Sequence, residues 1–208
     1  MGVLLGLMLA SALTQAKPIG NPGQWLSDAD YPPGPRRRRE EGMVSFDVLI
    51  SPEGHVETCN ITQSSGFPEM DQITCVAVRA RAKFKPATDE NGIATYSNYN
   101  ARISWLHPDR SSPPRRSPPF EPPIDMELHV QKLPNGAQEE RVAIVTRIDP
   151  AGHVAVCEPS QFVKSSPKLV EVACAQAKAI YAFAQTDGNG KAVPIIKSMR
   201  ILFKVAPK

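Results

Sequence analysis

The chain has 208 residues, a formal net charge of +3 and an ordinary 41% of hydrophobic residues, which bounds it to one or two globular domains. So small a charge does not by itself imply a nucleic-acid partner. The 21 prolines are clustered, which points to linkers rather than to a proline-poor core.

In chain order, the first feature is an apolar stretch from Val3 to Ala12. It is too short to span a bilayer, which takes about 20 residues. Small residues follow as Ala10-Ser11-Ala12 and Thr14-Gln15-Ala16. Either suits a signal-peptide cleavage site, and the second is favoured, giving a signal peptide over 1–16 and an N-terminal segment over 17–30. No Lys or Arg precedes the apolar run, so an uncleaved inner-membrane anchor is the competing expectation. The mature protein is expected outside the cytoplasm, touching membrane only through partners or that uncleaved segment. Arg36-Arg37-Arg38-Arg39 is offset at once by Glu40-Glu41 and reads as a solvated segment at a strand entrance.

Next, Val44, Phe46, Val48 and Ile50 alternate with more polar residues, the period of a half-buried strand. Ser51-Pro52-Glu53-Gly54 has type I turn chemistry, and His55 to Thr62 reads as the return strand. Ser64-Ser65-Gly66-Phe67-Pro68 breaks it. Pro68 suits a first helical turn, and Met70 to Lys83 reads as a helix with Met70, Ile73, Ala77, Ala80 and Phe84 on its apolar face. Ser64 and Ser65 are expected to cap that helix, with Asp71 complementing its dipole. A loop at Asp89-Glu90-Asn91-Gly92 precedes a third strand, marked by Tyr99, Ala101, Ile103 and Trp105.

The pattern then returns. Ser51-Pro52-Glu53-Gly54-His55-Val56 recurs as Asp149-Pro150-Ala151-Gly152-His153-Val154, 98 positions on. Val142, Ile144, Thr146 and Ile148 repeat the first strand, and Met199, Ile201, Phe203 and Val205 repeat the third. An ordered series at a near-constant offset indicates a tandem repeat. Between the copies, His107 to Pro123 holds seven prolines in 17 residues. That composition favours extended polyproline II and reads as an interdomain linker.

The fold class expected is therefore α+β. Two tandem small domains, over 31–106 and 124–208, each form a three-stranded antiparallel sheet covered on one face by one helix. Cys59 and Cys75 are 16 apart, and Cys157 and Cys174 are 17 apart. Four cysteines allow three connectivities. The repeated spacing favours one bridge inside each copy, with four buried free thiols as the alternative. A loop of that size, once closed, contributes about 3 kcal/mol.

The ordered motifs of the first copy are Tyr31-Pro32, the Pro-Glu-Gly-His-Val turn, Ser64-Ser65-Gly66-Phe67-Pro68-Glu69-Met70-Asp71, and Phe84-Lys85-Pro86-Ala87. Together they resemble the TonB C-terminal domain, the periplasmic part of the energy transducer. The second copy is degenerate: Val170 aligns with Asp71, and Phe183-Ala184-Gln185-Thr186 replaces the helix exit. The resemblance implies a periplasmic protein-binding module. Its partner would be a segment of an outer-membrane TonB-dependent transporter, bound by addition of a strand to an exposed sheet edge. The candidate edge is the third strand, Asn98, Tyr99, Asn100, Ala101, Arg102, Ile103, Ser104 and Trp105, with Lys197 to Val205 as its counterpart. Without an anchor such a chain cannot couple to an inner-membrane motor, so an accessory role in TonB-dependent transport is expected. The alternative is a structural or cell-wall-associated envelope protein that self-associates through the same strands, with a homodimer as partner. No nucleophile elbow, phosphate loop or dinucleotide fingerprint is present. No catalytic residue, cofactor or metal is expected, and His55 and His153 read as surface residues at matched turns.

Overall fold

The computed structural model describes residues 12–109 and 120–206. Val3 to Ser11 of the expected signal peptide and 110–119 of the expected linker lie outside the described residues. No helix among the described residues is long and apolar enough to cross a membrane.

The described residues open with a two-residue strand β1 (Lys17–Pro18) and a short helix α1 (Pro33–Arg38). The hairpin β2 (Gly42–Ile50) and β3 (Val56–Gln63) follows, then α2 (Pro68–Arg81), the short β4 (Phe84–Lys85) and β5 (Ala87–Thr88), and the long β6 (Ala94–Trp105). The second half runs β7 (Met126–Val130), β8 (Glu139–Ile148), β9 (Val154–Pro159), α3 (Pro167–Ile180), β10 (Gln185–Thr186), β11 (Ala192–Val193) and β12 (Ile195–Val205). The architecture is α+β, dominated by strands.

The alternation places its residues as expected. Val44, Phe46, Val48 and Ile50 are fully buried, as are Ile144, Thr146 and Ile148. Thr146 tolerates a core position because its hydroxyl donates to the Lys197 carbonyl at 3.1 Å, which satisfies the buried oxygen. At the hairpin turn the Gly54 amide donates to the Ser51 carbonyl at 2.9 Å, and Gly54 has φ +82. A Cβ there would meet the Phe84 carbonyl oxygen at 2.0 Å, so both conformation and space require glycine.

One local expectation gains detail and two are revised. The arginine run is the last turn of α1, opened by proline and closed by Arg39 at φ +55, where cations complement the helix dipole. The buried face of α2 is Met70, Thr74, Ala77 and Val78, while Ala80 is exposed. The helix ends at Arg81, so Phe84 enters the core from β4. Ser64 and Ser65 do not cap the helix amides. Their hydroxyls and the Ser65 amide donate to the Asp71 carboxylate at 2.5 to 2.9 Å, pinning the preceding loop to the first turn.

The two halves do not form separate three-stranded sheets. Among the described residues, one sheet runs in the order β3-β2-β6-β12-β8-β9, with β5 added to β6 and β7 to β12. The junction is parallel and short: Ile195 pairs with Tyr96 and Ile196 with Ser97. That register sets the layers. Side chains alternate faces along a strand. Tyr99, Ala101 and Ile103 of β6 face α2, and the alignment of Tyr96 with Ile195 puts Met199, Ile201 and Phe203 on the other face, under α3. The helices therefore cover opposite faces. Each core recruits residues from the other half: Leu49 and Tyr96 join the cluster under α3, and Val145, Val156 and Ile196 join the cluster under α2. Polar contacts reinforce the join. Arg147 makes a two-pronged pair with Glu90 at 2.7 and 2.8 Å, and Glu57 accepts from the Gly188 amide at 3.1 Å.

The segment before β2 belongs to the core. Leu13 is 2% exposed, within the cluster that contains Val48, Phe84, Val145 and Ile196. Its amide donates to the Glu158 carboxylate at 3.0 Å. Thr14 pairs with Thr88 through backbone bonds of 3.0 and 3.2 Å, and β1 pairs with β4. Ala16 and Trp25 are buried as well.

Each half is cross-linked from strand to helix. Cys59 of β3 is bonded to Cys75 of α2, and Cys157 of β9 to Cys174 of α3. These are the two pairings with the repeated spacing.

Candidate functional site

The eight residues singled out from the sequence, Asn98 to Trp105, all lie on β6. On one side β6 is paired with β2 from Ser97 to Trp105. At its start β6 pairs with β5 through Ala94 and Thr95, and on the side away from β2 it pairs with β12 through Tyr96 and Ser97. Among the described residues no strand pairs with Asn98–Trp105 on that second side. An unpaired strand side presents backbone donors and acceptors to whatever lies beyond it.

Two cavities follow this rim. One of about 700 Å³ is bordered by Asn98, Tyr99 and Asn100 on β6 and by Lys197, Ser198 and Arg200 on β12. The other, of about 380 Å³, lies along Ala101–Leu106 and is closed by Trp25, Leu26 and Tyr31 of the N-terminal segment. The rim's inner face is anchored. Trp105 is 4% exposed, and its Nε1 donates to Thr74 Oγ1 at 3.0 Å. Tyr31 meets the Trp105 ring edge-on with centroids 5.4 Å apart, and its hydroxyl donates to the Glu40 carbonyl. Trp25, Phe84 and Tyr99 form a second aromatic group. These contacts anchor one face of the strand, while one of its sides has no strand neighbour among the described residues.

The second half's counterpart rim differs. From Ile201 to Val205 it is covered by β7, which runs parallel to it. Alternation in Met126-Glu127-Leu128-His129-Val130 is the signal for this strand: Met126, Leu128 and Val130 pack on the second core. Among the described residues, the stretch of β12 without a neighbour on that side is thus Lys197–Met199.

The larger cavity holds most of the polar chemistry. Lys197 Nζ lies 2.9 Å from the Asp125 carboxylate and 3.1 Å from the Tyr181 hydroxyl. Burial would lower its pKa, but Asp125 and Tyr181 hold it above the usual lysine range. Asp47 accepts from Asn98 Nδ2 at 3.2 Å. Burial pushes its carboxyl up, against that hydrogen bond and the more distant Lys197 charge. No group of His, Cys, Asp and Glu among the described residues could hold a metal ion. His55 and His153 are exposed at matched turns.

Comparison with known proteins finds similarity in the first half. Residues 27–106 match the family model described as Gram-negative bacterial TonB protein C-terminal. The chain is also 46% identical over 41 residues to Protein TonB of Neisseria gonorrhoeae. That alignment covers 20% of this chain and spans 14% of the relative's length. The matched region contains β2, β3, α2 and all of β6.

Proposed function

We propose, from the match of residues 27–106 to the TonB C-terminal family, that this is a periplasmic protein-binding module accessory to TonB-dependent transport. Its partner is a segment of an outer-membrane transporter, which adds as a strand to Asn98–Trp105. The observation that carries this reading is the bare side of β6, whose Asn98–Trp105 stretch has no strand neighbour among the described residues. Main-chain hydrogen bonds would supply affinity and the flanking cavities selectivity. The module catalyses nothing in this reading. The second half, with the same order of hairpin, helix and long strand, is proposed as a degenerate copy of the first, joined through 107–123. The test is a titration of isotope-labelled protein with synthetic peptides from transporter N-terminal segments. Amide shifts along Asn98–Trp105 are expected, and their absence overturns the reading.

A second reading is self-association. It is favoured by β3 and β9, which close the sheet at its two ends without a further strand among the described residues. Sedimentation velocity over a wide concentration range tests it. A monomer throughout rules it out.

A further inference from the structure

β6 and β12 run side by side, yet they are bridged at only two positions. Beyond Ser97 and Ile196 they part around the larger cavity, with Pro122 and Pro123 also at its border. Farther along, β7 occupies the same side of β12. The chain itself therefore already seats a strand there. That ladder stops at Asp125, whose amide donates to the Arg200 carbonyl at 2.9 Å and whose side chain accepts the Arg200 amide at 2.8 Å. The preceding prolines have no N–H and cannot extend it. A slot remains, walled by Asn98–Asn100 on one side and Lys197–Met199 on the other.

On one face of this slot, acceptors are left short of donors. By register, Asp47, Asn98 and Lys197 lie on the same sheet face, the one that carries α3. Lys197 is engaged by Asp125 and Tyr181. Asp47 has the Asn98 amide as its side-chain donor, and Asn98 Oδ1 is buried with no hydrogen-bond partner. Between them, Asp47 and Asn98 Oδ1 thus have a single side-chain donor, and buried acceptors left without donors are costly. A cationic side chain would correct this.

We propose that the slot takes one extended polypeptide segment between the two halves, bonded through its backbone to both walls, with an arginine side chain received by Asp47 and Asn98. This rests on the strand-pairing reading above and adds to it a second wall and a residue preference. The second half then serves as part of the binding site.

The probes are two synthetic nonapeptides of alternating Thr and Val that differ only at the central residue, Arg in one and Glu in the other. They are titrated into the isotope-labelled full chain and into its Asp47→Asn variant, whose fold is checked by its own amide spectrum. Binding of the Arg peptide is expected to shift amides in both Asn98–Asn100 and Lys197–Met199. It should bind roughly tenfold tighter than its Glu twin, as a charge-assisted bond predicts, and the variant should lose that preference while keeping the backbone shifts. Shifts confined to Asn98–Trp105 would overturn the two-walled slot and leave edge pairing standing. Shifts in neither strand would overturn both. Equal affinity of the two peptides, or a preference retained in the variant, would overturn the role of Asp47.

Discussion

Leu13 tests whether the N-terminal segment is structural. Its side chain is almost fully buried at the junction, among residues of both halves held by strand ladders. Those walls cannot close readily around a void. Leu13→Ala removes three carbons while leaving the amide bond to Glu158 in place. The expected cost is about 3 kcal/mol, within the range for buried leucines. For a chain of this length that lowers Tm by roughly 6–12 °C. Ile19→Ala is the control: Ile19 is 61% exposed, and a change of less than about 0.5 kcal/mol is expected. Guanidinium and thermal unfolding, each followed by circular dichroism, give the two values. If Leu13→Ala matches Ile19→Ala, the segment is not part of the core. The same packing bears on processing. A cut after Ala16 would remove Leu13, Ala16 and the Thr14–Thr88 pairing; on the periplasmic reading proposed above, N-terminal sequencing is expected to find a start at Leu13, after Ala10-Ser11-Ala12.

Further outcomes are expected. Cys59→Ser should lower stability by about 3 kcal/mol under oxidising conditions, from the loop between Cys59 and Cys75; equal unfolding midpoints with and without the substitution would refute it. Glu90→Gln should weaken the junction, because its carboxylate grips Arg147, and faster amide exchange at Tyr96, Ser97, Ile195 and Ile196 is the readout. Acid should destabilise the protein through Asp30. Two hydrogen bonds from Arg81, at 2.6 and 2.7 Å, hold this carboxyl far below the ordinary carboxylate range. Its folded form releases its proton more readily than the unfolded chain, so this stability is present above the unfolded pKa of about 3.9 and is lost as pH falls below it. Arg81→Met should flatten the fall in urea midpoint between pH 5 and pH 3; an unchanged slope would contradict this.

Much of the fold was legible in the residues. Period-two runs marked β2, β8, β6 and β12 because each buries one face on its own helix, and that is a local consequence of pleating. Gly54 and Gly152 marked the hairpin turns through their positive φ. The recurring cysteine spacing indicated the strand-to-helix bridges that the structure contains. The strand β6 itself was legible as well, as an alternating third strand ending at Trp105.

The joining of the halves was decided by tertiary structure. Its signals were present but ambiguous. Val48-Leu49-Ile50 and Ala143-Ile144-Val145 are continuous apolar runs, which fit strands buried on both faces, yet a run alone does not say what covers the second face. The answer depends on the register of Tyr96 with Ile195, a contact across 99 positions that no local pattern encodes. Leu13 and Ala16 posed the same problem: their sequence context reads as a leader or an anchor, and only the assembled structure shows them buried. Local periodicity determines which side of a strand is apolar; only the packing of distant segments determines what meets it, because burial is a property of the assembled surface and not of the segment.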